Sequence, residues 1–267
     1  SFETGRCARQ QTAPDTSGLG PKHPSMKSDQ TMQKPMISDQ DKSQLKRTFR
    51  KDLKAQVKIR LFTQKPSVIT IPGRECPYCP QTQQLLEELA ALTPKIDLET
   101  VDFYNDPQVA QDQGVTRIPA IVISADGSSR VKFYGAPMGY GMAAMVADIK
   151  TISRSVSPLS MDTRKKLRKL TQKVHIQVFV TPASADCPGL ACLAHALAIE
   201  NPLVAADVVE IQEFPMLARN YGVRSVPVTV INEHIRLSGP LSEPQLLEKV
   251  LEAGVRPEPV TADGTTG

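Results

Sequence analysis

Apolar positions recur at helix and strand spacings from about residue 38 onward. After Ser38, the residues Leu45, Phe49 and Leu53 return every fourth position, which predicts a helix with one apolar face. Alternating or wholly apolar runs predict strands, and Asp126-Gly127 predicts a hairpin turn between the last two of them. The predicted strands are 57–62, 68–71, 96–104, 120–124 and 130–134, and helices are predicted over 83–92, 107–113 and 139–150.

The pattern then repeats at an offset of 108 residues. Residues 114–123 read GVTRIPAIVI, and residues 222–231 read GVRSVPVTVI. The same offset aligns Val101 with Val209 and Pro107 with Pro215. It also aligns 68–71 with 176–179, which favours 68–71 over 57–62 as the central strand of the first copy. The chain is therefore predicted to hold two copies of one β-α-β-α-β-β-α unit, joined near 153–160.

This element order predicts an α/β fold. A strand–helix–strand unit gives parallel pairing, and the later hairpin adds antiparallel strands, so each unit has a mixed central sheet flanked by helices. The first unit is predicted over 37–153 and the second over 154–254. Residues 1–36 lack an apolar period and predict a disordered extension, and 255–267 predict a flexible tail.

Bulk composition excludes several classes of function. Only 4% of residues are aromatic and none is Trp, while the net charge of +4 is not focused, so no nucleic-acid partner is expected. The basic run 164–169 is interpreted as the exposed face of a short helix. No apolar run is long enough to span a membrane, and the first residues do not resemble a secretory signal. Five cysteines with one C-x-x-C favour a reducing compartment, so a cytoplasmic location is predicted.

Candidate chemistry lies in Cys76-Pro77-Tyr78-Cys79, between a predicted strand and a predicted helix. The start of a helix stabilises a thiolate through its backbone N–H groups and dipole. Three residues along a helix separate two Cα atoms by roughly 5 Å, within reach of a disulfide. Cys76 is therefore predicted to attack disulfides, and Cys79 to resolve the mixed disulfide.

A C-x-x-C motif also occurs as half of a zinc site, but a second signal favours redox chemistry. Ile118-Pro119 opens the third strand of the same unit, and Pro227 holds the matching place in the second copy. Arg74 and Arg117 precede these two motifs. They either stabilise the Cys76 thiolate or are ordinary surface charges, and both readings stay open.

These motifs together resemble the thioredoxin superfamily, whose members place a cis-proline beside the redox cysteines; Pro119 is the matching position. From Met36 onward the tandem arrangement resembles the protein disulfide oxidoreductases of thermophilic archaea and bacteria, also called glutaredoxin-like domain proteins. The resemblance rests on Ile37-Ser38-Asp39, CPYCP at 76–80, 179–182, and the residues around 194–201. It implies two thioredoxin-like units acting on protein or peptide disulfides. It also implies a substrate groove shaped by Pro77, Tyr78, Ile118 and Pro119.

The second unit departs from that family pattern. Where the family usually has a second C-x-x-C, this chain reads Ser184-Ala185-Asp186-Cys187, and a serine hydroxyl is a poor nucleophile toward disulfides. Cys192 lies five residues further on, beyond disulfide reach on a continuous helix; only a break at Pro188-Gly189 would allow a Cys187–Cys192 pair. The favoured interpretation makes Cys192 a core residue and leaves the second site, including Pro227, degenerate. His195 and His175 are interpreted as structural.

The sequence therefore predicts a thiol–disulfide oxidoreductase in which the first unit is catalytic. No cofactor or metal is called for, and the electrons are expected from a separate thioredoxin-reductase-like donor. One alternative is an electron carrier to a peroxidase. The paired-unit domain of flavin-containing peroxiredoxin reductases has this shape, although its active motif lies in the second unit. The other alternative is a non-catalytic binding module or chaperone that keeps CPYC as a vestige.

Overall fold

The computed structural model describes residues 34–65 and 72–255, and from Pro35 onward these form one compact unit. The helices are α1 (Asp39–Asp52), α2 (Cys79–Ala90), α3 (Pro107–Asp112), α4 (Tyr140–Arg154), α5 (Met161–Leu167), α6 (Cys187–Glu200), α7 (Pro215–Asn220) and α8 (Glu243–Gly254). The strands are β1 (Val57–Thr63), β2 (Ile96–Asp102), β3 (Ala120–Ser124), β4 (Val131–Tyr134), β5 (Val174–Val180), β6 (Val204–Glu210), β7 (Val228–Ile231) and β8 (Ile235–Ser238).

A single mixed sheet runs through both copies, with the strand order β2-β1-β3-β4-β6-β5-β7-β8. In the first half, α1 to α4, β1 pairs parallel with β2 and antiparallel with β3, and β3 forms the predicted hairpin with β4. The second half, α5 to α8, repeats this pattern. Parallel pairing of β4 with β6 joins the halves. The predicted mixed α/β architecture in tandem is confirmed.

Helices cover both faces of this sheet, because alternate strand residues enter two separate cores. Ile121 and Ile123 of β3 belong to the larger core, which also takes Leu85 of α2 and Ala194 of α6. Val122, between them on the opposite face, belongs to the smaller core, which the short helices α3 and α7 close. None of the helices in these ranges is both long and apolar enough to cross a membrane.

The central strand of the first half differs from the prediction. Val57–Thr63 lies between β2 and β3 and pairs with both along its length, so the choice of 68–71 for this place was wrong. Residues 66–71 themselves lie outside the described residues. Twelve residues separate Thr63 from Cys76, whereas three separate Val180 from Ser184. Because of this longer connection, the 108-residue offset does not align β1 with its counterpart β5. It aligns the apolar run at 68–71 with residues 176–179 of β5 instead.

The helix start predicted at Ser38 is confirmed by its cap. Ser38 Oγ accepts a hydrogen bond from the N–H of Asp41 at 3.1 Å, and acidic residues fill the first turn of α1, as the helix dipole favours. Ser160 caps α5 in the same way. The basic run predicted as a short helix begins in α5.

Hydrogen bonds to Glu88 of α2 attach the chain to the fold from Met36 onward, one residue before the predicted start of the first unit. The backbone N–H groups of Met36 and Ile37 donate to the Glu88 carboxylate at 2.9 and 3.1 Å, and the Lys42 ammonium lies 2.9 Å from it. Burial opposes ionisation, but these donors outweigh it and lower the pKa of Glu88 to about 2. The predicted extension up to residue 33 and the tail after 255 lie outside the described residues.

Buried polar side chains connect the two halves. His195 of α6 is fully buried; its Nδ1 lies 2.6 Å from Asp148 of α4, and its Nε2 donates to the backbone oxygen of Lys132 at 3.2 Å. Beside them, the Lys132 ammonium and His175 Nε2 lie 3.4 and 2.8 Å from the buried Asp207 carboxylate. Both imidazoles therefore have internal hydrogen-bond partners, which fits the structural role predicted for them.

Candidate active site

Cys76 and Cys79 are joined by a disulfide with a Cα–Cα distance of 5.3 Å, close to the separation that the i to i+3 spacing predicts. The N–H of Cys79 donates to the Cys76 carbonyl at 3.2 Å, which closes the turn between them. Cys79 is 1% exposed, whereas Cys76 is only half-buried. Of the two cysteines, Cys76 is thus the one that an external partner reaches.

The motif lies at the start of α2, which begins at Cys79 with Pro80 in its first turn. A proline is tolerated there because the first N–H groups of a helix have no intrahelical acceptor. No side chain caps this end, so the positive end of the helix dipole faces the motif. This environment stabilises a thiolate. Thr82 Oγ1 donates to the Tyr78 carbonyl at 2.7 Å and secures the first turn.

The predicted groove residues differ in exposure. Pro77 is exposed, Tyr78 and Ile118 are half-buried, and Pro119 is buried. The Ile118–Pro119 peptide bond is cis, as is Val226–Pro227 in the second half. The Pro119 carbonyl accepts a hydrogen bond from the N–H of Gly135, which follows β4, at 3.0 Å. The Pro227 carbonyl accepts one from the N–H of Gly239, which follows β8, at 2.9 Å. The two halves therefore share this loop.

Two arginines beside the motif rest on aromatic rings. The Arg74 guanidinium carbon lies 4.8 Å from the ring centre of Tyr104. The Arg117 carbon lies 4.9 Å from that of Tyr134 and 6.0 Å from that of Phe214, which belongs to the second half. Sequence reasoning noted the arginines but missed the aromatic residues. The available signal was an aromatic residue at the end of two predicted strands, Tyr104 and Tyr134.

The second motif keeps the turn and lacks the nucleophile. The N–H of Cys187 donates to the Ser184 carbonyl at 3.4 Å, which is the counterpart of the Cys79–Cys76 bond. Cys187 is buried, and both Cys187 and Cys192 are free thiols. Helix α6 runs without a break from Cys187 to Glu200, so the condition for a Cys187–Cys192 pair is not met.

Cys192 is instead packed between α6 and α4. Its Sγ donates to the backbone oxygen of Ala144 at 3.9 Å. Burial and the nearby Asp148 carboxyl raise the pKa of the Cys192 thiol to about 12. A thiol with such a pKa stays protonated near neutral pH and is a poor nucleophile. The packing role predicted for Cys192 fits this setting.

The first half covers the second motif. The N–H of Tyr140 donates to the Pro182 carbonyl at 3.2 Å, and a Cβ on Gly139, whose φ is +52°, would lie 2.6 Å from that oxygen. Cys187 lines a cavity of about 30 Å³ in this junction, together with Thr181, Pro182 and residues 136–138. That volume holds about one water molecule. The described part of the first motif, 72–80, makes backbone hydrogen bonds only within itself and to α2.

A buried acid, Glu210, and a half-buried acid, Glu213, lie at the same junction. The N–H of Ala136 donates to Glu213 Oε1, and the N–H of Glu213 donates to Glu210 Oε2, both at 2.7 Å. Burial raises the pKa of Glu210, and burial together with the Glu210 charge raises the pKa of Glu213 to about 7. At these positions the first half has Asp102 and Asn105, so the acid pair belongs to the second half alone.

No group of three or more metal-ligating side chains occurs in the described ranges. Cys76 and Cys79 bond to each other, and Cys187 lies in a different half beneath its own cover. The structure thus does not bring Cys76, Cys79, Cys187 and Cys192 together into a four-cysteine metal site.

The Thioredoxin domain family matches residues 67–146 and again 174–252, together more than half of the chain. The thioredoxin of Methanocaldococcus jannaschii is 34% identical over 84 residues, which cover 31% of this chain and 84% of that protein. A probable thioredoxin of Methanothermobacter marburgensis is 35% identical, covering 30% and 81%.

Among solved structures, a protein disulfide oxidoreductase from Aeropyrum pernix aligns over 81% of this chain and 93% of its own, with 27% identity and a TM-score of 0.74. The N-terminal domain of alkylhydroperoxide reductase AhpF from Enterococcus faecalis aligns over 80% and 99%, with 24% identity and a TM-score of 0.72. The second likeness shows the shared fold. The chain belongs to the thioredoxin-domain family, carries that fold twice in tandem, and is of the thiol–disulfide oxidoreductase type.

Proposed function

We propose that this chain exchanges electrons between the Cys76–Cys79 dithiol and disulfides in protein substrates. The observation that carries the proposal is the asymmetry of the pair. A half-buried Cys76 lies before an uncapped helix start, and a buried Cys79 is bonded to it. The accessible sulfur suits the attack on a substrate, and the buried sulfur suits an attack confined to its neighbour.

In the reducing direction, the Cys76 thiolate attacks a substrate disulfide. A Cys76–substrate mixed disulfide forms, and the first substrate sulfur leaves as a thiolate. The Cys79 thiolate then attacks Cys76 Sγ, which forms the Cys76–Cys79 disulfide and releases the second substrate sulfur. Two electrons pass to the substrate, and the two thiol protons follow. A separate thioredoxin-reductase-like donor returns the pair to the dithiol.

The first test is reduction of insulin with dithiothreitol as electron source, followed as precipitation of the released chains. We expect catalysis by the wild-type chain, loss to the uncatalysed rate in Cys76→Ser, and full activity in Ser184→Ala, the matched position of the second half. In Cys79→Ser the mixed disulfide with substrate should accumulate and be visible by mass spectrometry. A wild-type rate no higher than that of Cys76→Ser would refute the proposal and favour a non-catalytic binding module.

A second candidate function is electron delivery to a peroxidase. It is supported by the likeness to the alkylhydroperoxide reductase domain along nearly its whole length. The test is peroxide consumption by a two-cysteine peroxidase with this chain as its only reductant. A rate far above that for insulin would favour the carrier, and a rate below it would favour the general oxidoreductase.

A further inference from the structure

The loops on either side of the redox motif each carry an arginine that lacks an acidic partner. Arg74 lies two residues before Cys76, and Arg117 lies two residues before Pro119. Neither forms an ion pair with a carboxylate within the described ranges. Four other arginines in these ranges do pair with carboxylates, among them Arg60 with Glu99 and Arg164 with Glu200.

These two guanidinium groups are held in place by aromatic rings instead. Arg74 stacks on Tyr104, and Arg117 stacks on Tyr134 with Phe214 nearby. Stacking occupies the face of a guanidinium and leaves its N–H edge free for two parallel hydrogen bonds to a carboxylate. The rings already restrict the motion of both arginine side chains. An acidic partner that binds them therefore costs less side-chain entropy.

A cleft of about 430 Å³ lies between the two loops. Arg74 forms part of its wall, with Phe103 and Tyr104 on one side and 114–116 on the other. Phe103 and Tyr104 meet edge to face with ring centres 5.2 Å apart. The cleft therefore combines apolar walls with a positive charge, and Thr116 in its wall is the sequence neighbour of Arg117.

From this arrangement we infer that the site selects disulfides whose cysteines are flanked by acidic residues in a peptide chain, which rests on the proposed function. A substrate sulfur bonded to Cys76 places its neighbouring residues along the two loops that bracket the motif. A carboxylate on either side of that sulfur then meets Arg74 or Arg117. Both arginines act as specificity-determining residues and take no part in sulfur transfer.

The second half supports this interpretation by contrast. At the place of Arg117 it has Ser225, and at the place of Arg74 it has Pro182, whose carbonyl bonds to the first half. The half without the attacking cysteine thus also lacks the two arginines. Arg224, an exposed residue of that half, provides a matched control.

The test uses short peptides with one disulfide in three versions, with Glu, Gln or Lys on both sides of each cysteine. For the wild-type chain at low salt, we expect kcat/KM to be about three- to tenfold higher for the Glu peptide than for the Gln peptide, mainly through KM. Rising ionic strength should reduce this ratio. Arg74→Gln and Arg117→Gln should each lower the ratio of kcat/KM for the Glu peptide to that for the Gln peptide. Arg117→Lys should retain part of this preference, and Arg224→Gln should leave it unchanged.

A second readout separates specificity from a general effect on the Cys76 thiolate. The pH profile of Cys76 alkylation in the reduced chain should be the same in wild type and in both Gln variants. Equal kcat/KM of the wild type for the Glu and Gln peptides would overturn the inference. So would variants that slow all three peptides alike with a shifted alkylation profile. Failure to reduce any of the peptides would instead refute the proposed function.

Discussion

The two halves of the molecule present the same turn in two different settings. In both, the second motif cysteine begins a helix, its N–H bonds to the residue three before it, and a cis-proline loop follows later in the half. The first turn carries two cysteines, lies at the end of a long connection and makes no backbone hydrogen bond with the other half within the described residues. The second has Ser184 and lies under Gly139 and Tyr140.

This difference shows that the fold alone does not supply the redox chemistry. A thioredoxin-type turn tolerates loss of its nucleophile because the helix start, the cis-proline and the core do not depend on the sulfur. Once the attacking residue is lost, the surface around the second turn is available for packing. Here it packs against the first half, where Cys187, Glu210 and Glu213 contribute to the junction between the halves.

The largest expected effect is on the joining of the halves. His195→Ala removes the partner of the buried Asp148 and the donor to the Lys132 carbonyl. Because it leaves buried polar groups without partners, we expect the free energy of unfolding to fall by about 3–5 kcal/mol. Urea unfolding measures this, with exposed His234→Ala as a control expected within about 0.5 kcal/mol of wild type. A loss below about 1 kcal/mol would contradict the role of His195 in joining the halves.

Restoring the missing cysteine distinguishes two causes of inactivity in the second motif: the loss of the nucleophile and the packing of Gly139 and Tyr140 over it. Since the backbone of the second turn matches the first, Ser184→Cys should form a disulfide with Cys187, seen by mass spectrometry as loss of the Cys187 thiol on oxidation. Gly139 and Tyr140, which pack over the second motif, should still limit the access of a substrate disulfide to it. In Cys76→Ser/Ser184→Cys we expect insulin reduction below about one tenth of wild type. Wild-type rates in the double variant would show that the nucleophile alone distinguishes the halves.

The smallest expected effect concerns the acids of the junction. The pKa of Glu213 is about 7 in the folded chain, above its ordinary value, so the folded state binds the proton more tightly than the unfolded state. Stability should therefore be highest below about pH 4.5 with respect to this group and fall as pH rises through 7.

Glu213→Gln removes this titration and still accepts the hydrogen bond from Ala136. At pH 8 the variant should be more stable than wild type by roughly 1–2 kcal/mol, after allowance for partial exposure. The difference should vanish near pH 4.5. Urea unfolding at both pH values checks this, and an equal difference at both would mean that the Glu213 charge is not responsible.

Much of the fold was accessible from the sequence because its signals are local. The hairpin at Asp126-Gly127, the helix start at Ser38 and the cis-proline loops at Pro119 and Pro227 each depend on a few neighbouring residues. The repeat then assembled them into two copies. The redox pair followed from the C-x-x-C spacing, which sets the Cα separation on a helix, together with Ile118-Pro119, which favoured redox chemistry over a zinc site.

The remaining features depend on contacts between distant segments. The central strand was misassigned because 57–62 and 68–71 are both apolar, and only pairing with β2 and β3 decides between them. The stack of Arg117 on Tyr134 and Phe214 joins three segments from two halves. Glu210 and Glu213 read as surface acids by composition, and only the packing of the first half onto them buries their carboxyl groups.

The central claim is that the Cys76–Cys79 couple carries all the dithiol chemistry of the chain. The most direct test is a redox titration of the full chain, with each of its five cysteines followed by alkylation and peptide mass spectrometry. We predict a single two-electron transition that removes label from Cys76 and Cys79 together and disappears in Cys76→Ser. A reduction potential of about −270 mV would mark a reductase, and a potential above about −180 mV would mark an oxidant or isomerase. A paired loss of label from Cys187 and Cys192, or no transition at all, would contradict the account.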